Sequence, residues 1–171
     1  TGHGGGRFCK GYRLHAMGDG RGRIVEYRVT DMREQEKNMA FEMLQCVHAG
    51  QVILADGNYD SSRLYDAAAE RGAFLFTPIK HGWPHTHVSK KSSPRRREAD
   101  RVWRCLPVTA RLAYRLRSAI ERTFANLTNF AGGLRGLPPW VRTRPRVERF
   151  VAAKLIIYQA RRLVHHPSAA A

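Results

Sequence analysis

The sequence has few cysteines, few acidic residues and no long apolar run. Its three cysteines, Cys9, Cys46 and Cys105, are odd in number and widely spaced, so no disulfide framework is expected. The longest apolar runs, such as 52–55 and 155–158, are far shorter than the ~20 residues needed to cross a bilayer. No signal-peptide pattern opens the chain. These absences argue against a disulfide scaffold and a membrane-spanning helix, and favour a cytoplasmic setting.

The shortage of acidic residues gives the chain a strong positive charge. Fourteen Asp and Glu face 30 Lys and Arg, and the formal net charge is +16. A charge of this size makes a polyanion the expected partner. Arginine dominates the excess, and its guanidinium binds phosphate through two hydrogen bonds and stacks on bases. The composition of these 171 residues therefore predicts about one domain that binds nucleic acid.

Residues 114–128 predict a helix around which the rest of the chain is organised. Apolar residues recur every three or four positions, at about 100° per residue, and form one stripe that is expected to face the core. The residues of this stripe are Leu112, Leu116, Ile120, Phe124 and Leu127. A second face, about a quarter turn away, is formed by Tyr114, Arg117, Glu121 and Thr128.

The first part of the chain predicts a Gly-rich loop followed by an antiparallel hairpin. Residues 1–11 are the loop, and strands over 12–17 and 24–30 are joined by a turn at 18–22. Asp19 lies in that turn, where Asp-Gly turn chemistry explains its presence. His15 is interpreted as a half-buried strand histidine.

The middle of the chain predicts a helix over 33–47 and then a strand, helix and strand over 51–56, 61–71 and 73–79. The apolar run of the first strand suggests burial on both faces. Asp56 ends that strand, and ligands gather beyond the carboxyl ends of strands in open α/β sheets. Asp60 is predicted to be the N-cap of the following helix.

Two basic segments are predicted to contact phosphates. Residues 80–108 look like a mobile basic insertion that becomes ordered on DNA, in which Trp83 and Trp103 could stack on an unpaired base. A further basic stripe precedes and opens a final helix that begins near Pro145. The apolar spacing of this helix predicts a core face formed by Val147, Phe150, Val151, Leu155 and Tyr158. The candidate phosphate contacts in the two segments are Lys90, Lys91, Arg95, Arg96, Arg97, Arg142 and Arg144.

Three motifs resemble those of the DDE transposases of bacterial insertion sequences. Tyr114, Arg117 and Glu121 match the Tyr-x2-Arg-x3-Glu-x6-Lys motif of one branch, with Thr128 in place of the closing lysine. Residues 56–61, Asp-Gly-Asn-Tyr-Asp-Ser, resemble the segment with the second catalytic carboxylate. Residues 10–15 resemble a segment that commonly opens this part of the domain.

This resemblance implies a fold, a chemistry and partners. The fold would be α/β, a ribonuclease H-like mixed sheet flanked by helices, in one partial catalytic domain over 1–171. Asp56 and Glu121 would be the second and third carboxylates that bind Mg²⁺ or Mn²⁺ for hydrolysis and strand transfer at transposon ends. Tyr114 and Arg117 would lie at the DNA. The partners would be transposon-end and target DNA and a second copy in a paired-end complex, in the bacterial nucleoid.

The first carboxylate of the family has no match in this sequence. In the family it lies on an opening strand upstream of the segment that resembles 10–15, and this chain begins at Thr1 without that strand. The sequence is therefore expected to be a catalytically incomplete fragment without its first strand. The alternative is a non-catalytic basic nucleic-acid-binding module, such as a decayed transposase remnant.

Overall fold

A computed structural model of the chain describes residues 2–4, 7–9, 11–80, 88–129, 134 and 137–165. The strands are β1 Gly2–Gly4, β2 Arg7–Cys9, β3 Tyr12–Gly18, β4 Ile24–Asp31, β5 Val52–Leu54 and β6 Phe74–Phe76. The α-helices are α1 Glu36–Met43, α2 Ser62–Glu70, α3 Pro94–Cys105, α4 Pro107–Arg115, α5 Ser118–Asn129 and α6 Arg144–His165. Short 3₁₀ turns cover Leu44–Cys46 and Gly57–Tyr59.

The described strands form three two-stranded sheets. β1 pairs with β2 and β3 with β4, both antiparallel, whereas β5 and β6 are parallel. The predicted α/β class is confirmed, but the described residues form separate pairs and not the single mixed sheet that was expected. The loop predicted for residues 1–11 is wrong, because β1 and β2 lie within it. The ribonuclease H-like architecture stays a prediction.

The chain divides into two compact units. The hairpin unit comprises residues 1–34 and 118–171, and the strand–helix–strand unit comprises residues 35–117. Among the described residues, no helix is long and apolar enough to span a bilayer.

The β3–β4 hairpin confirms the sequence prediction. The Asp19 carboxylate accepts hydrogen bonds from the backbone N–H of Arg21 and Arg23, at 3.0 and 2.8 Å, and from Nε of Arg23 at 2.6 Å. Burial favours the neutral acid, but the hydrogen bonds from Arg23 outweigh it and lower the pKa of Asp19. His15 is buried and its Nε2 lies 2.9 Å from Oγ1 of Thr30, so it has the predicted structural role.

Helices α5 and α6 cover the hairpin and enclose the core of this unit. The predicted apolar face of the last helix is confirmed in the main, because four of its positions are buried and Phe150 is partly buried. The buried residues of this core are Ile24, Val29, Leu127, Val141, Val147, Val151, Leu155 and Tyr158. The Gly22 carbonyl accepts hydrogen bonds from the hydroxyls of Thr123 and Tyr158, at 3.2 and 3.0 Å. Both helices are therefore bonded to the hairpin turn.

The strand, helix and strand predicted for the middle of the chain are present as β5, α2 and β6, and α2 packs at the centre of this unit. Helix α2 presents Leu64, Tyr65 and Ala68 as buried residues, and it contacts β6, α1 and α3. The Tyr65 hydroxyl lies 2.8 Å from Oγ1 of Thr77, which is fully buried just after β6. Burial is the main cause that raises the pKa of Tyr65 to about 12. The helix ends before Gly72, whose φ of +69° suits glycine.

Two predictions of burial are wrong. Val52 in β5 is 62% exposed and its strand neighbours Ile53 and Leu54 are only partly buried, so this strand is not buried on both faces. The helix predicted over 114–128 is interrupted at Leu116 and Arg117, where the backbone makes i to i−3 hydrogen bonds. The apolar stripe therefore does not continue as one core face. Leu112 and Leu116 are 55% and 65% exposed, whereas Leu127 is buried.

Gly22→Ala should destabilise the hairpin unit. Gly22 has a φ of +77°, and an added Cβ would lie 3.2 Å from Oγ1 of Thr123. The left-handed conformation costs a non-glycine residue about 1–2 kcal/mol, so urea unfolding should show a loss of at least that size. Gly20→Ala is the matched control in the same turn, since nothing lies within 4 Å of its added Cβ. Equal losses for the two variants would contradict this assignment.

Tyr65→Phe should reduce the loss of stability at alkaline pH. The pKa of Tyr65 is about 12 in the folded protein and about 10 in an unfolded chain, so the folded state holds the phenolic proton more tightly. The contribution of the protonated Tyr65 hydroxyl to the free energy of unfolding is fully present below a pH of about 10 and is lost as the pH rises towards 12. Urea unfolding at pH 9 and pH 11 measures how much the free energy of unfolding falls between these two pH values. Tyr27→Phe should show the same fall as the wild type, and a fall of wild-type size in Tyr65→Phe would refute the assignment.

Candidate functional site

Asp56 lies where the sequence places it, beyond the carboxyl end of a parallel strand. After β5 the Ala55 N–H still donates to the Phe76 carbonyl of the neighbouring strand, at 3.2 Å. The chain then turns through Gly57–Tyr59, and Asp56 is the N-cap of this turn. Its Oδ1 accepts a hydrogen bond from the Asn58 N–H at 2.6 Å. The carboxylate is thus half-buried and has a fixed orientation at the edge of the sheet.

Asp60 is not the N-cap that was predicted. The N-cap position of α2 is Ser61, and both carboxylate oxygens of Asp60 accept hydrogen bonds from distant residues. Nε and Nη2 of Arg96 donate to these oxygens at 2.7 and 2.6 Å, and the Lys80 N–H donates at 2.7 Å. Asp60 therefore does not cap the nearby helix but forms charge-assisted hydrogen bonds with Arg96, which lies 36 residues away in the chain.

The Asp60–Arg96 ion pair is buried. The Asp60 side chain is 0% exposed and that of Arg96 is 15% exposed. Two further guanidinium N–H groups donate to Ser92 Oγ and to the Lys80 carbonyl, both at 3.0 Å. Hydrogen bonding to Asp60 raises the pKa of Arg96. The structure therefore uses Arg96 inside the unit, whereas the sequence predicted a DNA contact for it.

Glu121 lies in the hairpin unit, in the first turn of α5. A negative charge there interacts favourably with the helix dipole. Its side chain is exposed, whereas its neighbours Ala119 and Thr123 are buried, so α5 presents Glu121 to solvent. Thr128 is partly buried on the same helix, and its hydroxyl donates to the Phe124 carbonyl at 2.6 Å. At the position where the motif that the sequence resembles has a lysine, this chain therefore has a side chain bonded to its own helix.

Tyr114 and Arg117 lie in the strand–helix–strand unit, at the end of α4 and just after it. The Tyr114 and Trp103 rings make a T-shaped contact at 5.7 Å between centroids, and the Arg117 guanidinium lies 5.3 Å from the Tyr114 centroid. Both side chains are partly buried. Their contact with DNA stays a prediction.

The basic segment is largely helical where it is described, so the prediction of a mobile insertion is wrong for residues 94–105. Ser93 caps α3 by accepting a hydrogen bond from the Arg96 N–H at 3.2 Å, and Pro94 suits the first helical turn. Arginine also favours helix. The exposed cations of this segment include Lys90, Lys91, Arg95 and Arg97.

Trp103 is partly buried and packs within the unit through a face of its ring. Its ring is stacked on Phe76 at 4.8 Å with an interplanar angle of 4°, and its Nε1 donates to the Thr77 carbonyl at 2.7 Å. Base stacking by Trp103 stays a prediction. Trp83 lies outside the described residues.

Arg142 and Arg144 are exposed in the hairpin unit. Nε of Arg142 donates to the Pro139 carbonyl at 2.6 Å. Arg144 opens α6 and pairs with Glu148 at 2.8 Å, but its side chain is 62% exposed. Both guanidinium groups are accessible to an anionic partner.

Asp56 and Glu121 provide oxygen donors, which hard divalent cations prefer. Each is at least partly exposed. Within the described part of the chain, however, no group of three or more His, Cys, Asp or Glu side chains is arranged to hold a metal ion. The carboxylates of Asp56 and Glu121 are thus of the right chemical type for a divalent ion, but the described residues do not provide a complete set of metal ligands.

Comparison with known proteins identifies the family. A family model described as the transposase DDE domain matches residues 1–159. Searches of curated proteins and of solved structures gave no match. Since the match covers most of the chain, the protein belongs to the transposase DDE domain family. That membership indicates a transposase function and a DNA substrate, and the family generally uses divalent metal ions.

Sequence reasoning missed the roles of Arg96 and Lys80. Both act through contacts between positions distant in the chain, and neither lies in a motif whose spacing indicates its partner.

Arg96→Met should destabilise the strand–helix–strand unit strongly. The change leaves the fully buried Asp60 carboxylate without its charged partner, and breaking a buried pair costs about 3–5 kcal/mol. Arg95→Met is the matched control, because the Arg95 side chain is 58% exposed and forms an ion pair with the half-exposed Glu98. Chemical unfolding should show a loss below about 1 kcal/mol for the control. Similar losses for the two variants would contradict the structural role of Arg96.

Proposed function

We propose that the protein is a DNA transposase catalytic domain, in which Asp56 and Glu121 supply carboxylates for Mg²⁺ or Mn²⁺. The reaction is phosphodiester hydrolysis and strand transfer at transposon ends. The observation that carries this proposal is the position of Asp56, a fixed carboxylate at the end of a parallel strand in a chain of the transposase DDE domain family. Glu121 supports it as an exposed carboxylate in the motif that resembles the third catalytic segment.

The geometry of Asp56 suits a metal ligand. A carboxylate has about four lone-pair sites, and the hydrogen bond from Asn58 uses one of them. That bond fixes the orientation of the carboxylate and leaves capacity for a cation. Bound divalent ions would activate a water or a 3′-hydroxyl and stabilise the leaving oxygen.

Exposed cations in each of the two units have a separate task, which is to hold DNA. Lys90, Lys91, Arg95 and Arg97 are exposed around the start of α3, and Arg142 and Arg144 are exposed in the hairpin unit. Such contacts bind phosphates without reading sequence, and they make affinity strongly salt-dependent. Tyr114 and Arg117 are proposed as further DNA contacts by resemblance alone, as is a homodimer that pairs transposon ends in the nucleoid.

A non-catalytic nucleic-acid-binding module is the second candidate. Two observations favour it: the described residues contain no complete group of metal ligands, and Thr128 replaces the lysine of the family motif. A binding module would use the net charge of +16 to bind DNA and would need no metal ion. Metal dependence therefore separates the two functions.

Asp56→Asn and Glu121→Gln should each weaken Mn²⁺ binding roughly tenfold or more, because each removes a charged oxygen ligand. Calorimetric titration of the metal-free protein measures this affinity. Asp66→Asn and Glu70→Gln are the matched controls, since they remove carboxylates of α2 that lie outside the motifs and should bind Mn²⁺ as the wild type does. Mn²⁺ binding that is absent, or equal in all five proteins, would reject the catalytic function in favour of the binding module.

A further inference from the structure

The backbone of Lys80, an exposed basic residue, is held by two hydrogen bonds to charged side chains. It follows β6, and its N–H donates to Oδ2 of Asp60 at 2.7 Å while its carbonyl accepts from Nη2 of Arg96 at 3.0 Å. These two partners form the buried ion pair of the unit. The Lys80 main chain is thus held on both sides by charged groups that are themselves fixed.

The Lys80 side chain extends over the loop that carries Asp56. Its Nζ donates to Oδ1 of Asn58 at 2.9 Å, and the Asn58 N–H donates to Oδ1 of Asp56 at 2.6 Å. A Cβ added at Gly57 would lie 3.3 Å from Cε of Lys80, so the loop backbone approaches the lysine stem closely. One residue, Asn58, therefore bonds both the Lys80 ammonium and the Asp56 carboxylate.

This arrangement leaves an oriented cation at the edge of the sheet. A lysine ammonium has three hydrogen-bond donors, and Asn58 accepts from one of them. Lys80 is exposed, so the others can reach an anion from solvent. Because the bonds to Asp60, Arg96 and Asn58 already order the residue, an anion that binds there meets less of the entropic cost of fixing a long side chain.

We propose that Lys80 binds a DNA phosphate beside Asp56, and that the Asp60–Arg96 pair positions it. The inference rests on the proposed function in one respect, because it places a phosphate of the DNA substrate next to a proposed catalytic carboxylate. Asp60 and Arg96 act through the Lys80 backbone and are positioning residues.

The first test measures DNA affinity without metal ions. Fluorescence anisotropy with a labelled duplex, in EDTA and between 50 and 200 mM salt, gives the slope of log affinity against log salt. Each lost phosphate contact lowers the slope by about 0.9 and the affinity near 100 mM salt by about five- to tenfold. Lys80→Met should show both losses and Lys80→Arg should restore the slope. Lys37→Met, which removes an exposed lysine of α1, should match the wild type.

A Lys80→Met protein that keeps the wild-type slope overturns the proposal, even if its melting temperature falls, because Lys80 would then only stabilise the loop. A loss of slope that Lys80→Arg does not restore overturns it as well, since that loss would not follow the positive charge.

The second test locates the phosphate. If it lies beside Asp56, Asp56→Asn should strengthen metal-free DNA binding severalfold, because it removes a like charge near the phosphate. This gain should shrink in the Lys80→Met background, since contacting groups are not additive. Additive effects would place the Lys80 phosphate elsewhere and overturn the inference. Both tests are free of metal, so failed Mn²⁺ binding counts against the proposed function alone.

Discussion

The buried ion pair between Asp60 and Arg96 is the interaction on which the arrangement around Asp56 depends. It joins the loop after β5, the segment after β6 and the start of α3. A buried carboxylate with a bidentate guanidinium is costly to break, because either partner alone would be left charged and desolvated. The pair therefore fixes the edge of the sheet where the chain presents its candidate carboxylate and the hydrogen-bonded ammonium of Lys80.

Local rules predicted those parts of the fold that local interactions decide. The alternation in 24–30 and the Asp-Gly turn gave the hairpin, and the apolar spacing after Pro145 gave most of the core face of α6. Asp60 and Trp103 could not be assigned in this way, because their partners Arg96 and Phe76 are distant in the chain. The interruption at 116–117 has no glycine or proline to signal it.

The candidate site was predicted in part. The position of Asp56 followed from the apolar run that precedes it, and the structure places it at the end of a strand paired in parallel. Its environment could not be predicted, because Asn58, Lys80 and Arg96 act together only after β6 and α3 have folded beside the loop. Glu121 was predicted as a catalytic carboxylate from motif spacing alone. In the structure it is exposed in the first turn of α5.

The proposed role of Asp56 as a metal-binding carboxylate of a transposase can be tested with an anomalous-scattering map from crystals of the full chain grown with Mn²⁺. We expect an anomalous peak at about 2 Å from an oxygen of Asp56, with Glu121 as a further ligand. Well-ordered Asp56 and Glu121 carboxylates without any metal peak, at Mn²⁺ concentrations that saturate binding in solution, would contradict it.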